Sequence, residues 1–157
     1  MPITPSSSNW RQTHLGYWLA QASRQFDARV LALMATHDRM PLALANLARR
    51  GHLTASHTHI TQHLALAGSR PTELAARAGV SKQAMGKLVD QCEAWGLVRR
   101  QNDPRDARAW LVLFTPAGLA WLQAFEDAVA QAQAELHVAV GDNVATVIAL
   151  GLEAYAA

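Results

Sequence analysis

Residues 88–118, LVDQCEAWGLVRRQNDPRDARAWLVLFTPAG, change their apolar spacing twice, and that change decides the fold. Leu88, Cys92 and Trp95 recur at helical steps, Gly96 interrupts them, and Leu97-Val98-Arg99-Arg100 alternates as a strand does. Asn102-Asp103-Pro104 is turn chemistry, after which a second alternating run continues through Trp110 to Phe114 and stops at Thr115-Pro116. The pattern predicts a helix followed at once by a short hairpin, with Arg105, Asp106 and Arg108 at its tip.

Toward the N-terminus the chain supplies the partner of that helix. Thr72 is placed to cap a short helix with Glu73 in its first turn, where the helix dipole favours an acid, and Gly79 to end it in a left-handed turn. Ser81 then caps a second helix with Met85, Leu88, Val89 and Cys92 on its inner side and Gly96 past its end. Two helices joined by a tight glycine turn form a helix-turn-helix, in which the first residues of the second helix enter the major groove of DNA. Ser81, Lys82, Gln83, Gly86 and Lys87 are therefore the candidate DNA-facing residues of the helix. The Leu97–Phe114 hairpin reads as a wing, a β-ribbon whose basic tip reaches the neighbouring backbone or minor groove.

Composition fits this reading. A chain of 157 residues, 50% apolar, is enough for one compact domain and marginal for two. The single cysteine, Cys92, excludes an internal disulfide framework, and no run approaches the ~18 apolar residues of a membrane span. The start, MPITPSSSNWRQTH, lacks the apolar core of a secretion signal, so a soluble cytoplasmic chain is expected, with its Ser-rich first residues poorly ordered. The net charge of +2 hides a polarity: residues 70–110 carry eight Lys and Arg against five Asp and Glu, whereas residues 111–157 carry five acids and no Lys or Arg. Such a chain meets a polyanion with its middle and turns its tail away.

The remaining segments read as helices. Leu15, Trp18, Leu19, Ala22, Phe26, Val30 and Leu33 form one long apolar stripe ending near His37. A short helix follows with Pro41 in its first turn and Gly51 past its end, and another spans TASHTHITQHLALAG, residues 54–68. Past the hairpin, Leu119, Leu122, Phe125, Val129, Ala132 and Leu136 give one stripe, and Val144, Val147, Ile148 and Leu152 a second. Terminal stripes without an evident partner in so short a chain predict burial against a second copy.

The span from Thr72 to Gly118 resembles the winged helix-turn-helix of the MarR family of bacterial transcriptional regulators. The Asp-x-Arg-Asp-x-Arg wing motif stands as Asp103, Arg105, Asp106 and Arg108, and the Thr-x-x-Gly strand end as Thr115 to Gly118. The resemblance implies a mainly α fold with a small β-wing, a winged helix-turn-helix flanked by N- and C-terminal dimerisation helices. The implied division is 12–56 for the N-terminal dimerisation helices, 57–115 for the DNA-binding region and 116–157 for the C-terminal dimerisation helices. It also implies a homodimeric repressor on a pseudo-palindromic operator, with DNA affinity altered by a small-molecule effector. In this frame Arg105 and Arg108 reach phosphate or minor groove, and Asp103 and Asp106 hold those arginines through ion pairs. Gln83 and Lys87 meet base edges, and Ser81 and Lys82 meet phosphate. Two departures stand out: the segment from Asp38 to Ser56 is longer than the usual connection, and Gly86 occupies a position where the family often has Ser or Thr. A glycine inside a helix costs ~1 kcal/mol, which points to close approach by DNA or by the preceding helix.

Some of the residues admit other chemistry. His57, His59 and His63 share one predicted helix, and the spacing of His59 and His63 suits a divalent metal, so a zinc-responsive regulator of the same fold is an alternative. No carboxylate falls inside that cluster, and no bound metal or other cofactor is expected. The MarR resemblance implies instead an effector cavity between the dimerisation helices and the reading head, with Trp18, His59 and His63 as candidate lining residues. Cys92, on the inner stripe, reads as packing and not as a redox switch, and the five tryptophans as core and pocket material. No phosphate loop or catalytic signature is present, so an enzyme is not expected. A winged helix that binds protein and not DNA is the other alternative, and the basic wing argues against it.

Overall fold

The computed structural model describes residues 9–157; the Ser-rich start lies outside the described residues. A short 3-10 turn, Asn9–Gln12, precedes α1 (Leu15–Ala35), α2 (Leu42–Arg49), α3 (Ala55–His63), α4 (Pro71–Ala78) and α5 (Lys82–Ala94). The strands β1 (Val98–Asp103) and β2 (Asp106–Phe114) follow, then α6 (Pro116–Val140) and α7 (Asp142–Ala156). The order is the expected one, mainly helical with one β-hairpin. No helix among the described residues is long and apolar enough to cross a membrane.

The helix-turn-helix forms from the signals read above, with one shift. Ser81 caps α5, its Oγ accepting from the Ala84 N–H at 3.1 Å, and Gly79 ends α4 at φ +66°. The cap of α4, however, is Arg70 and not Thr72, because Pro71 occupies the first helical position, where its missing N–H costs nothing. Glu73 accepts from the Arg70 N–H, as an acid in a first turn does. The helix expected over residues 54–68 stops at His63, and Leu64 is extended. The chain must turn there, since Ser69 exchanges two backbone hydrogen bonds with Val112 of β2, at 3.1 and 2.9 Å. Gly68, at φ +93°, makes that return possible: a Cβ there would lie 3.1 Å from the Leu113 side chain.

The core runs through both halves. Met85, Val89 and Cys92 of α5, Leu74 of α4, Ile60 of α3, Leu97 and Val112 of the hairpin and Trp121 of α6 are buried together with Met34 of α1. Met40, Leu44, Ala45 and Leu53 are buried as well, so the long segment 38–56 is a short helix folded into the core beside α1. Its entry is pinned by His37, which lies 3.1 Å from Asp127 of α6. On α6 the innermost seam is Trp121, Ala124, Ala128 and Ala132, offset from the stripe of large residues expected from sequence; Leu122, Phe125 and Val129 flank it. Small side chains face inward there because α1 lies directly against α6. Trp121 Nε1 donates to Thr61 Oγ1 at 3.3 Å, joining α6 to α3. Of α7 only Ala145 is buried.

The junction between wing and α6 explains the Thr-x-x-Gly motif. Thr115 Oγ1 donates to the Gly96 carbonyl and accepts from the Gly118 N–H at 3.0 Å. Gly118 then packs so closely that a Cβ would sit 2.0 Å from the Leu97 carbonyl oxygen.

Candidate nucleic-acid interface

On α5, Met85, Val89 and Cys92 mark the inner face, and helical geometry puts Gln83 and Lys87 opposite them. Both are exposed, as are Ser81 and Lys82 at the helix start. Gly86 sits between them and the wing side; nothing lies within 4 Å of where its Cβ would be. The preceding helix therefore makes no use of this glycine, which removes one of the two reasons expected for it. Ser81 spends one oxygen lone pair on its own cap and keeps its hydroxyl proton for another acceptor.

The wing lies beside α5. Arg100 of β1 donates to both Asp90 and Glu93 on the helix, and its guanidinium stacks 4.5 Å from the centre of the Trp110 ring on β2. Arg100 thereby has its charge paired within the protein, whereas the exposed Arg105 and Arg108 at the tip make no salt bridge among the described residues.

The two wing acids do not make the expected ion pairs with Arg105 and Arg108. Asp103 accepts from the Arg105 backbone N–H at 2.9 Å and Asp106 from the Arg108 N–H at 3.1 Å, so each fixes the turn through the main chain. Their ionic partner is Arg70: its Nη2 lies 2.7 Å from Asp103 Oδ2 and 3.7 Å from Asp106 Oδ2. A two-residue separation favours the backbone bond, as in an Asx turn, and leaves both guanidinium groups at the tip uncommitted. The Arg105 N–H and then the Arg70 guanidinium hold the buried Asp103 carboxyl below the usual carboxylate range. Sequence reading missed Arg70, although a cation at a helix N-cap opposes the dipole and so signals an acidic partner elsewhere.

The effector-lining candidates are not brought together. His59 is exposed and borders a groove of about 240 Å³ whose walls include Ser56, Ile60, Val80, Met85 and Leu88; neither Trp18 nor His63 lines it. Trp18 stands 56% exposed on α1, roughly 18 Å along the helix from the first buried residue, Val30. His57, in contrast, is buried. Its Nδ1 accepts from the Thr54 N–H at 3.0 Å, so Nε2 carries the hydrogen donated to Gln91 Oε1 of α5, also at 3.0 Å. With both nitrogens occupied, His57 braces the reading helix. Among the described residues no three His, Cys, Asp or Glu side chains group as metal ligands, so His59 and His63 have no third donor beside them.

Burial pushes the Cys92 thiol up to about 12, which fits packing and not redox chemistry. Of the tryptophans, Trp121 is fully buried, Trp95 and Trp110 are half-buried, and Trp10 and Trp18 are exposed, so the expectation of core or pocket roles fails for the last two.

Residues 53–109, from the start of α3 to the wing, match the model of the MarR family. No curated protein sequence matches the chain. Among solved structures, the transcriptional repressor CouR bound to a 23-mer DNA duplex shares 21% identity at a TM-score of 0.72, covering 98% of this chain and 100% of that one. CouR from Rhodococcus jostii RHA1 bound to p-coumaroyl-CoA gives 21% identity and 0.68, covering 95% and 96%. The PcaV transcriptional regulator from Streptomyces coelicolor, in complex with its natural ligand, gives 18% and 0.67, covering 96% of each chain. At these identities the likeness establishes the fold. Residues 53–109, the helix-turn-helix and most of the wing, are thus similar to the MarR family, and the chain shares the winged helix-turn-helix fold of these solved structures over nearly its whole length.

Proposed function

We propose that the protein is a cytoplasmic, ligand-responsive repressor that binds a pseudo-palindromic operator as a homodimer. One observation carries the DNA-binding part: Gln83 and Lys87 face outward from α5 while Arg105 and Arg108 stand uncommitted on a wing strapped alongside it. Gln83 and Lys87 read base edges in the major groove, Ser81 and Lys82 hold phosphate, and the wing arginines enter a minor groove or grip its backbone. Residues 57–115 form this DNA-binding region, with 12–56 and 116–157 as dimerisation helices.

The dimer is supported by apolar surface that a lone chain leaves in water. Leu15 and Trp18 at one end and Val144, Val147, Leu150, Leu152 and Tyr155 at the other are each more than 40% exposed. The angle between α6 and α7 encloses a concavity of about 630 Å³, a shape that a second copy can fill. Ligand response is carried over from relatives, since CouR is bound to DNA in one structure and to p-coumaroyl-CoA in another. The groove beside His59 adjoins the start of the reading helix and is the natural place to search for an effector.

The test begins with selection of bound fragments from a random duplex pool, which is expected to return a two-fold symmetric site with half-sites roughly one helical turn apart. Titrations against that site and a scrambled duplex at several salt concentrations then separate clamp from reader. Arg108→Ala is expected to weaken both affinities and, if it contacts phosphate, to flatten the salt dependence by roughly one unit of slope per contact in each subunit. Lys87→Ala is expected to cost ~1–3 kcal/mol of discrimination at one position per half-site and less on the scrambled duplex. Unchanged affinities for Arg108→Ala, or equal losses on both duplexes for Lys87→Ala, would remove these roles.

A further inference from the structure

Arg70 caps α4, where the dipole disfavours a cation, yet its side chain is well placed for something else. Nε donates to Asp103 Oδ2 at 2.9 Å, while Nη2 lies 2.7 Å from the same oxygen and also approaches Asp106. Each of these aspartates divides its oxygens: Oδ1 holds the backbone of a tip arginine, and Oδ2 faces Arg70. The residue before Arg70, Ser69, is bonded in both directions to Val112 of β2. The wing would otherwise be a two-stranded ribbon, which has little rigidity of its own. Arg100 strengthens it at the base, against α5, but lies far from the turn at residues 104–105.

We propose that Arg70 is a positioning residue for DNA binding, fastening the wing tip to the start of α4 and so setting where Arg105 and Arg108 stand relative to the reading helix. This rests on the DNA-binding reading above. Arg70 acts here through the wing and not by touching phosphate, because the polar edge of its guanidinium is turned to two carboxylates. When the fastening is lost the tip arginines keep their charge but must be ordered at the moment of binding, which weakens affinity without removing a counterion-releasing contact.

The experiment uses the full chain and two independent readouts, amide hydrogen exchange of the free protein and duplex affinity at several salt concentrations. Arg70→Ala alone strands the Asp103 carboxylate, so Arg70→Ala/Asp103→Asn is made beside it; the amide oxygen keeps the bond to the Arg105 N–H without the buried charge. In both variants exchange at the Arg105 and Arg108 amides is expected to speed up by about tenfold or more, with α5 unchanged. Duplex Kd is expected to rise about tenfold at unaltered salt slope, and Arg70→Lys to fall between, since an ammonium lacks the fork that spans both carboxylates. In an Arg105→Ala/Arg108→Ala background, adding Arg70→Ala is expected to cost nothing further.

Unchanged exchange at the tip in the paired variant overturns the fastening. An additive loss with a shallower salt slope overturns it in favour of a direct phosphate contact, and exchange that rises equally through α5 overturns it in favour of a general structural role. A wild-type chain with no salt-dependent duplex affinity sinks the DNA-binding reading and, with it, the claim for DNA positioning. The exchange measurement still decides whether Arg70 holds the wing.

Discussion

Replacing Gly86 with alanine is expected to make the protein more stable and a poorer DNA binder. Gly86 lies inside α5, five residues into a helix that runs from Lys82 to Ala94, and an added Cβ meets nothing within 4 Å. With no clash to offset it, the substitution gains the difference in helix propensity, ~1 kcal/mol, which in a chain of this size raises Tm by about 2–4 °C. The same methyl projects from the reading surface into space that the protein leaves open. If DNA occupies that space, the helix is held off the groove and loses at least part of one contact per half-site, about 1 kcal/mol or a fivefold rise in Kd. Thermal denaturation followed by circular dichroism gives the first quantity, and fluorescence anisotropy at fixed salt the second. A lower Tm would show that the fold itself needs the glycine. A higher Tm with unaltered affinity would show that the open space is not where DNA sits, and the reasoning fails in either case.

Gly118→Ala is expected to destabilise by ~3 kcal/mol, since its Cβ would lie 2.0 Å from a backbone oxygen that cannot swing aside; a Tm within about 2 °C of wild type would contradict this. Cys92 is expected to resist iodoacetamide at pH 8 in the native protein and to react once denatured. Because burial raises its pKa to about 12, the stability tied to this thiol is complete below its ordinary value of 9.0 and declines as pH rises toward 12. Native labelling at the denatured rate would refute both the burial and the shift.

Features encoded locally were legible in the sequence. Ser81 followed by an amphipathic run, Gly79 in a left-handed turn and the Asn-Asp-Pro break each specify a conformation within a few residues, and each appears where expected. What escaped depends on residues far apart in the chain. The partner of Asp103 is 33 positions away, so a reading confined to the wing paired it with its nearest arginines. Helix α3 stops at His63, short of the expected span, and nothing inside TASHTHITQHLALAG announces that Ser69 must reach Val112. On α6, Ala124, Ala128 and Ala132 form the inner seam because α1 comes close, and proximity of another helix has no signature in side-chain hydrophobicity. Trp18 and His63 do not line the groove beside His59, and no local pattern in the sequence ties either of them to it.

The tight seat of Gly118 against Leu97 has a mechanical consequence. Together with Thr115 capping and the Trp121–Thr61 hydrogen bond, it ties the wing's second strand closely to the long helix that follows. Helix α6, 25 residues and so about 37 Å long, is thereby a lever welded to the reading head at one end. A tilt of about 5° applied near Val140 would carry the other end through roughly 3 Å, more than half the pitch of one helical turn. A displacement applied at the far end of this lever, or at its bearing against α1, would therefore be felt at the joint beneath the wing.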